Sequence, residues 1–254
     1  MQARRAVKFE RSLTNDRGFG GHAAKVRRVT AGEGICYNDD TKESNGRGDA
    51  VMALNETAVS SLYEDMVRWR RHLHRHPELS FREFETSRLI AGLLEEWGWE
   101  VRRGVAGTGV VGRLTGALPG RTIALRADID ALPIADEKAC DYASVAPGVM
   151  HACGHDGHTA ELLAVARYYS LHRQELAGTR VVLFQPGEEV LPGGALGMIA
   201  EGALDGVDAI YGIHLWSPMP YGTVATTPGP FMAAPDEFEI EIVGKGGHGG
   251  LPHE

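Results

Sequence analysis

Residues 159–189 read TAELLAVARYYSLHRQELAGTRVVLFQPGEE, and this stretch decides the fold class. Leu162, Val165 and Tyr169 recur at helical spacing, which predicts a helix over 159–171 with one buried face. The run at 180–185 is short, apolar and uninterrupted, as in a strand buried on both faces. Working outward, the pattern predicts a short helix at 195–203 and a strand at 208–214. Upstream, Val59, Leu62, Met66, Trp69 and Leu73 mark an amphipathic helix that Pro77 closes. A second helix spans 83–97, with Gly98 stopping it. Strands are predicted at 101–105, 109–114 and 121–126. Helix and strand alternate, so the fold is read as α/β, a mainly parallel sheet flanked by helices. From Gly222 the character changes. Strands at 224–226 and 238–243 follow, and Glu237, Glu239 and Glu241 alternate with apolar residues as in a half-exposed sheet.

The bulk properties narrow the function classes. A hydrophobic fraction of 43% over 254 residues suits a globular chain. No apolar run approaches the roughly 20 residues of a membrane helix, so no membrane partner is expected. The net charge of −8 disfavours nucleic acid. Cys36, Cys140 and Cys153 are odd in number and widely spaced, which suits a reducing, cytoplasmic setting better than a disulfide framework. Residues 1–50 hold ten Lys/Arg against seven Asp/Glu, a net of +3 that leaves −11 for the rest. That stretch is rich in Arg and Gly and has no apolar period, so 1–54 is read as a disordered or spurious extension rather than a targeting peptide.

Chemistry concentrates at Met150-His151-Ala152-Cys153-Gly154-His155-Asp156-Gly157-His158. A thiol, three imidazoles and a carboxylate within nine residues are donors that first-row divalent metals favour. Glu188-Glu189 and His214 follow where predicted strands end, the place where open α/β sheets put their sites. Two adjacent carboxylates at a strand end repel one another and resist burial. A divalent cation resolves that, with one as ligand and its neighbour left to move protons. A cysteine nucleophile with His155 or His158 as base uses the same motif, but it leaves the Glu pair and His214 without a role. His72, His74 and His76 lie two apart and do not share one helix face, so a solvated or ligand-supporting role is expected for them.

Five motifs in order, from Arg70 to Ser80, Arg126 to Pro133, Cys153 to His158, Gln185 to Glu189 and Gly212 to His214, resemble the dinuclear-metal amidohydrolases that include hippurate hydrolase and indole-acetyl-amino-acid hydrolases. These are relatives of aminoacylase and the carboxypeptidase G metallopeptidases. The resemblance implies a zinc-exopeptidase-like catalytic domain over 55–235, with 236–254 beginning a smaller α+β lid and dimerisation domain. It implies two divalent ions (Mn, Zn or Co) held by Cys153, His155, Glu189 and His214. It further implies that a metal-bound water cleaves the amide of N-acyl amino acids, with Glu188 as base. Asp128 falls on the acid of the first metal motif, but Arg126 stands where related peptidases carry a histidine, so Asp128 is expected to orient a ligand. His248 matches a histidine that in a homodimer steadies the oxyanion at the other copy's active site.

Family members continue well past this point and return to the catalytic domain with a final His ligand. The chain is therefore expected to be a piece of a longer enzyme. The alternative is a complete but inactive metal-binding remnant, and a di-metal dipeptidase or carboxypeptidase stays open as the nearest other enzyme.

Overall fold

A computed structural model describes residues 25–28, 56–232, 240–241 and 248–251. In chain order the elements are β1 (Lys25–Arg28), α1 (Glu56–Ser61), α2 (Tyr63–Arg75), α3 (Phe84–Glu96), β2 (Glu100–Val105), β3 (Gly109–Thr115), β4 (Leu118–Asp128), α4 (His155–Leu171), β5 (Ala177–Gln185), α5 (Gly194–Ala200), β6 (Ala209–Gly212) and β7 (Thr223–Thr226). They fall into two compact units: Asp39–Ser217, and Met1–Asn38 with Pro218–Glu254.

The larger unit is an α/β sheet of strand order β2-β3-β5-β4-β6 with helices on its faces. Two of its pairings are parallel, β4 with β5 and β4 with β6. The other two are antiparallel, because β2 and β3 form a hairpin through 106–108 whose second strand runs against β5. The mixed sheet thus keeps its parallel part in the half where helix and strand alternate.

Alternation in β5 divides the core. Val182 and Phe184 join Ile90, Leu94, Leu162 and Leu163 beneath α3 and α4. Val181 and Leu183 face the opposite way, onto Met198 of α5 and Ala203. That period of two gives a strand apolar on both faces, as its composition required. The parallel registers pair Asp128 with Gln185 and Arg126 with Gly212. The carboxyl ends of β4, β5 and β6 therefore lie side by side, and each leads into a segment bearing acid or imidazole groups.

Several boundaries differ from the sequence reading; β5 starts at Ala177 rather than 180 and α5 ends at Ala200 rather than 203. Helix α4 starts at His155 rather than 159, because Gly154 takes a left-handed conformation (φ 96°) that turns the chain directly into the helix. The upstream helix is divided into α1 and α2 at Leu62. Residues 218–235, read from the sequence with the catalytic domain, fall in the smaller unit, where β7 pairs with β1. The same antiparallel ladder takes in Lys25–Arg28, within the stretch 1–54; main-chain pairing needs no apolar period. The rest of 1–54 and most of the strand expected at 238–243 lie outside the described residues.

Candidate metal centre

Four segments converge at the carboxyl ends of the parallel strands. They are the end of β4 (Asp128, Asp130), the turn into α4 (Cys153, His155, His158), the loop after β5 (Glu188, Glu189) and the chain after β6 (His214). Three donor groups each have atoms within 4.8 Å of one another: Cys153 with His155 and His214, His155 with Glu188 and Glu189, and Asp128 with His155 and His158. His155 belongs to all three.

Hydrogen bonds fix the state of each ring. His155 Nδ1 lies 2.9 Å from the Asp130 carbonyl and 3.2 Å from its Oδ1. Both partners only accept, so Nδ1 carries the proton and donates, which aims Nε2 into the cluster. His155 is wholly buried, yet among the described residues Nε2 has no hydrogen-bond partner, and neither has Glu189 Oε1, 3.7 Å away. Glu188 Oε2 and Asp128 Oδ2 stand at 3.9 Å and 3.6 Å from the same nitrogen. His214 Nδ1 donates to the Leu215 carbonyl at 2.7 Å, which presents Nε2 to Cys153 Sγ at 3.5 Å.

His158 is different. Its Nδ1 donates to Asp128 Oδ1 at 2.6 Å, and its Nε2 accepts the Leu215 N–H at 2.8 Å. Both nitrogens are occupied, so His158 offers no lone pair to a cation and cannot serve Cys153 as a base. It ties β4 to the chain beside His214. Asp128 spends its second oxygen on Arg126 at 2.7 Å, and Arg126 reaches Gln185 at 2.9 Å. Asp128 thus orients His158, whereas the acid that orients His155 is Asp130. Asp130 also accepts the Glu189 N–H at 2.9 Å and the Ser80 hydroxyl at 2.6 Å. Sequence reasoning gave Asp130 no role; the alternation Asp128-Ile129-Asp130 at a strand end was the available signal.

The electrostatics favour positive charge here. Burial opposes ionisation of Asp128, but the His158 hydrogen bond and the charges of His155 and Arg126 hold its carboxyl well below the usual range. Asp130 is lowered in the same way: burial opposes ionisation, and His155, Ser80 and the Glu189 amide outweigh it. Burial would lower His155, yet Asp130, Cys153 and Asp128 push it up to about 11. Burial raises Glu189, and the charges of Glu188 and Asp130 add to the rise while His155 opposes it. This field crowds acids around His155 and favours positive charge beside its Nε2, a condition that a bound cation meets in place of a proton.

The remaining histidines divide. His74 is buried and meets Asp156 Oδ2 at 2.7 Å, with Arg70 on the same oxygen at 2.9 Å, so it braces the residue next to His155. His72 and His76 are exposed neighbours, rings 4.9 Å apart. His151 is held neutral by burial, its pKa lowered to about 4, with neither ring nitrogen hydrogen-bonded among the described residues. His248 belongs to the other unit, where its Nδ1 accepts the Gly250 N–H at 3.1 Å.

The sequence profile of Peptidase family M20/M25/M40 matches residues 124–252. The chain belongs to this family. Among its relatives, the N-acyl-L-amino acid amidohydrolase of Geobacillus stearothermophilus is 50% identical over 196 residues, covering 77% of this chain and 53% of that protein. Thermostable carboxypeptidase 1 of Saccharolobus solfataricus is 46% identical over 198 residues, covering 77% and 50%. A solved structure of the Bacillus subtilis protein YXEP, described as a dinuclear metal-binding peptidase of the M20 family, is 42% identical with a TM-score of 0.60, covering 63% of this chain and 45% of that one. This M20 chain spans about half the length of the curated relatives it matches.

Its donor set fits divalent cations. Two orphaned donor atoms at 3.7 Å, with a thiol and a second imidazole lone pair beside them, match the mixed N, O and S ligands of first-row metals. Among the described residues no helix is long and apolar enough to cross a membrane.

Proposed function

We propose that this chain carries the metal-binding and base-bearing part of a hydrolase that cleaves the amide bond of N-acyl amino acids. The observation that carries this reading is the pair of buried, unpartnered atoms, His155 Nε2 and Glu189 Oε1, facing one another beside Cys153 and His214. Cys153, His155, Glu189 and His214 would hold two divalent ions, Mn, Zn or Co. Bound cations supply Lewis acidity toward the amide carbonyl and bring the pKa of water toward neutrality.

The chain's own residues do the rest. Asp130 holds His155 and the Glu189 amide in place. Glu188 is exposed at the mouth of the cluster, where its carboxylate takes a proton from the attacking water and returns it to the leaving nitrogen. Asp128 supports the site through His158. His248, in the smaller unit, is the candidate for steadying the oxyanion across a homodimer. A thiolate ligand lasts only where cysteines stay reduced, which supports a cytoplasmic setting.

The reading is tested by loading the purified chain with Mn or Zn, desalting, and measuring both metal content and hydrolysis of hippurate, N-acetyl amino acids, indole-acetyl conjugates and dipeptides. Retained cation with cleavage of N-acyl amino acids is the expected result. Preference for peptides would move the assignment to a carboxypeptidase or dipeptidase, the class that the Saccharolobus relative's name supports. Retained cation without cleavage would favour a metal-binding role alone, and no retained cation would overturn the reading.

A further inference from the structure

The loop at 186–189 lies outside any helix or strand, yet it must hold Glu188 and Glu189 to a fraction of an ångström. Two buried carboxylates grip it. Asp130 takes the amide of Glu189. Glu83, at the threshold of α3 and 0% exposed, takes the amide of Gly187 through Oε1 at 2.9 Å. Its Oε2 accepts the hydroxyl of Thr108, in the turn of the β2–β3 hairpin. Glu188 is therefore bracketed by two amides, each held by an acid from a distant part of the chain.

The rest of 78–83 is shaped to the same loop. Phe81 sits at φ 60°, an unfavourable conformation for an aromatic residue. Its ring lies where a Cβ on Gly187 would be 2.5 Å away, so Gly187, itself at φ 55°, is the residue the contact admits. Ser80 bonds the acid that holds Glu189, and the Glu78 carbonyl accepts the Ala131 N–H at 2.8 Å.

Burying a carboxylate without a cation beside it is costly. Burial pushes Glu83 up, and the effects that oppose it are hydrogen bonds from Thr108 and from backbone amides, not a basic side chain. A purely structural position would be better served by an apolar residue.

We propose that Glu83 is a positioning residue for the reaction: it anchors the Gly187 amide and so sets where Glu188 and Glu189 stand. The inference rests on the function proposed above for those two acids.

The test uses the full chain with Glu83→Asp, Glu83→Ala and Glu83→Gln. Glu83→Asp withdraws the carboxylate by one methylene, out of reach of Gly187, while Glu83→Gln keeps an oxygen for that amide. In the loaded chain, Asp and Ala are expected to lower kcat by about 100-fold with KM within about threefold, as for a misplaced reacting group. Gln is expected to stay within about tenfold of wild type by the same argument. In the cation-free chain, hydrogen exchange is expected to quicken at 187–189 in Asp and Ala, with amides in the middle of β4 and β5 unchanged. Folded Asp or Ala variants with wild-type kcat and wild-type exchange at 187–189 would overturn the proposal. If the wild-type chain itself hydrolyses nothing, the proposed function has failed, and exchange alone decides Glu83: quickened and local supports the anchor, unchanged refutes it. If Ala does not fold, the contrast between Asp and Gln carries the same decision.

Discussion

Replacing Asp130 with Asn tests the site at its most connected point. Asp130 is 1% exposed, and its carboxylate accepts from His155 Nδ1 at 3.2 Å, Ser80 Oγ at 2.6 Å and the Glu189 amide at 2.9 Å. Asn has one acceptor oxygen where Asp has two. If that oxygen faces His155, the new NH2 confronts the Glu189 N–H, which cannot reverse, although the Ser80 hydroxyl can turn and accept. If it faces Glu189, the NH2 confronts His155 Nδ1–H, which keeps the Asp130 carbonyl at 2.9 Å but loses the carboxylate, so a buried NH2 is stranded against the ring. Either arrangement leaves a buried donor unsatisfied, at about 1–3 kcal/mol, and removes charge from the bonds that survive. We expect the cation-free variant to lose about 2–3 kcal/mol in urea unfolding. Cation affinity, measured by competition with a chromophoric chelator, is expected to fall about 10–100-fold, as when a ligand's supporting acid is removed. A variant with the wild-type unfolding midpoint and the wild-type affinity would refute the claim that Asp130 orients His155.

Three further outcomes follow from the same geometry. Glu188→Gln should keep the cation content of wild type while kcat falls by about 10²–10⁴; near-normal turnover would remove Glu188 as the base. Phe184 is wholly buried beneath α3 and α4, so Phe184→Ala should cost about 3–5 kcal/mol in denaturant unfolding, and a loss below about 1 kcal/mol would contradict that packing. Burial holds the Glu161 carboxyl above its ordinary 4.5, with His158 opposing. The folded pKa is raised, so its protonated form favours folding below the unfolded value, and that contribution is lost as pH rises through the folded value. Glu161→Gln should therefore show a gain over wild type that is absent below the unfolded value, grows as the pH rises above it and levels off above the folded value; a gain independent of pH would contradict the reading.

The α/β class was legible because β5 is apolar on both faces, a local property; the face of α4 was read less well, since it buries Leu162, Leu163 and Ala166 while Val165 is exposed. The donor types at Cys153, His155, Glu188, Glu189 and His214 were equally plain, and the aligned ends of β4, β5 and β6 bring those five together. The helix start at His155 and the strand at Lys25–Arg28 were not legible. One depends on the left-handed turn at Gly154 and the other on a ladder with β7, roughly 200 residues away.

What the sequence determined by itself was the chemical inventory and the order of elements that carries it, since residue type and apolar period are written along the chain. Which nitrogen of each imidazole stays free, that His158 has none to offer, and that Asp130 and Glu83 hold the reacting loop were decided only by tertiary structure. A hydrogen bond between Glu83 and Gly187 joins residues 104 apart. Its existence depends on how α3, the β2–β3 hairpin and β5 pack, which no local pattern encodes.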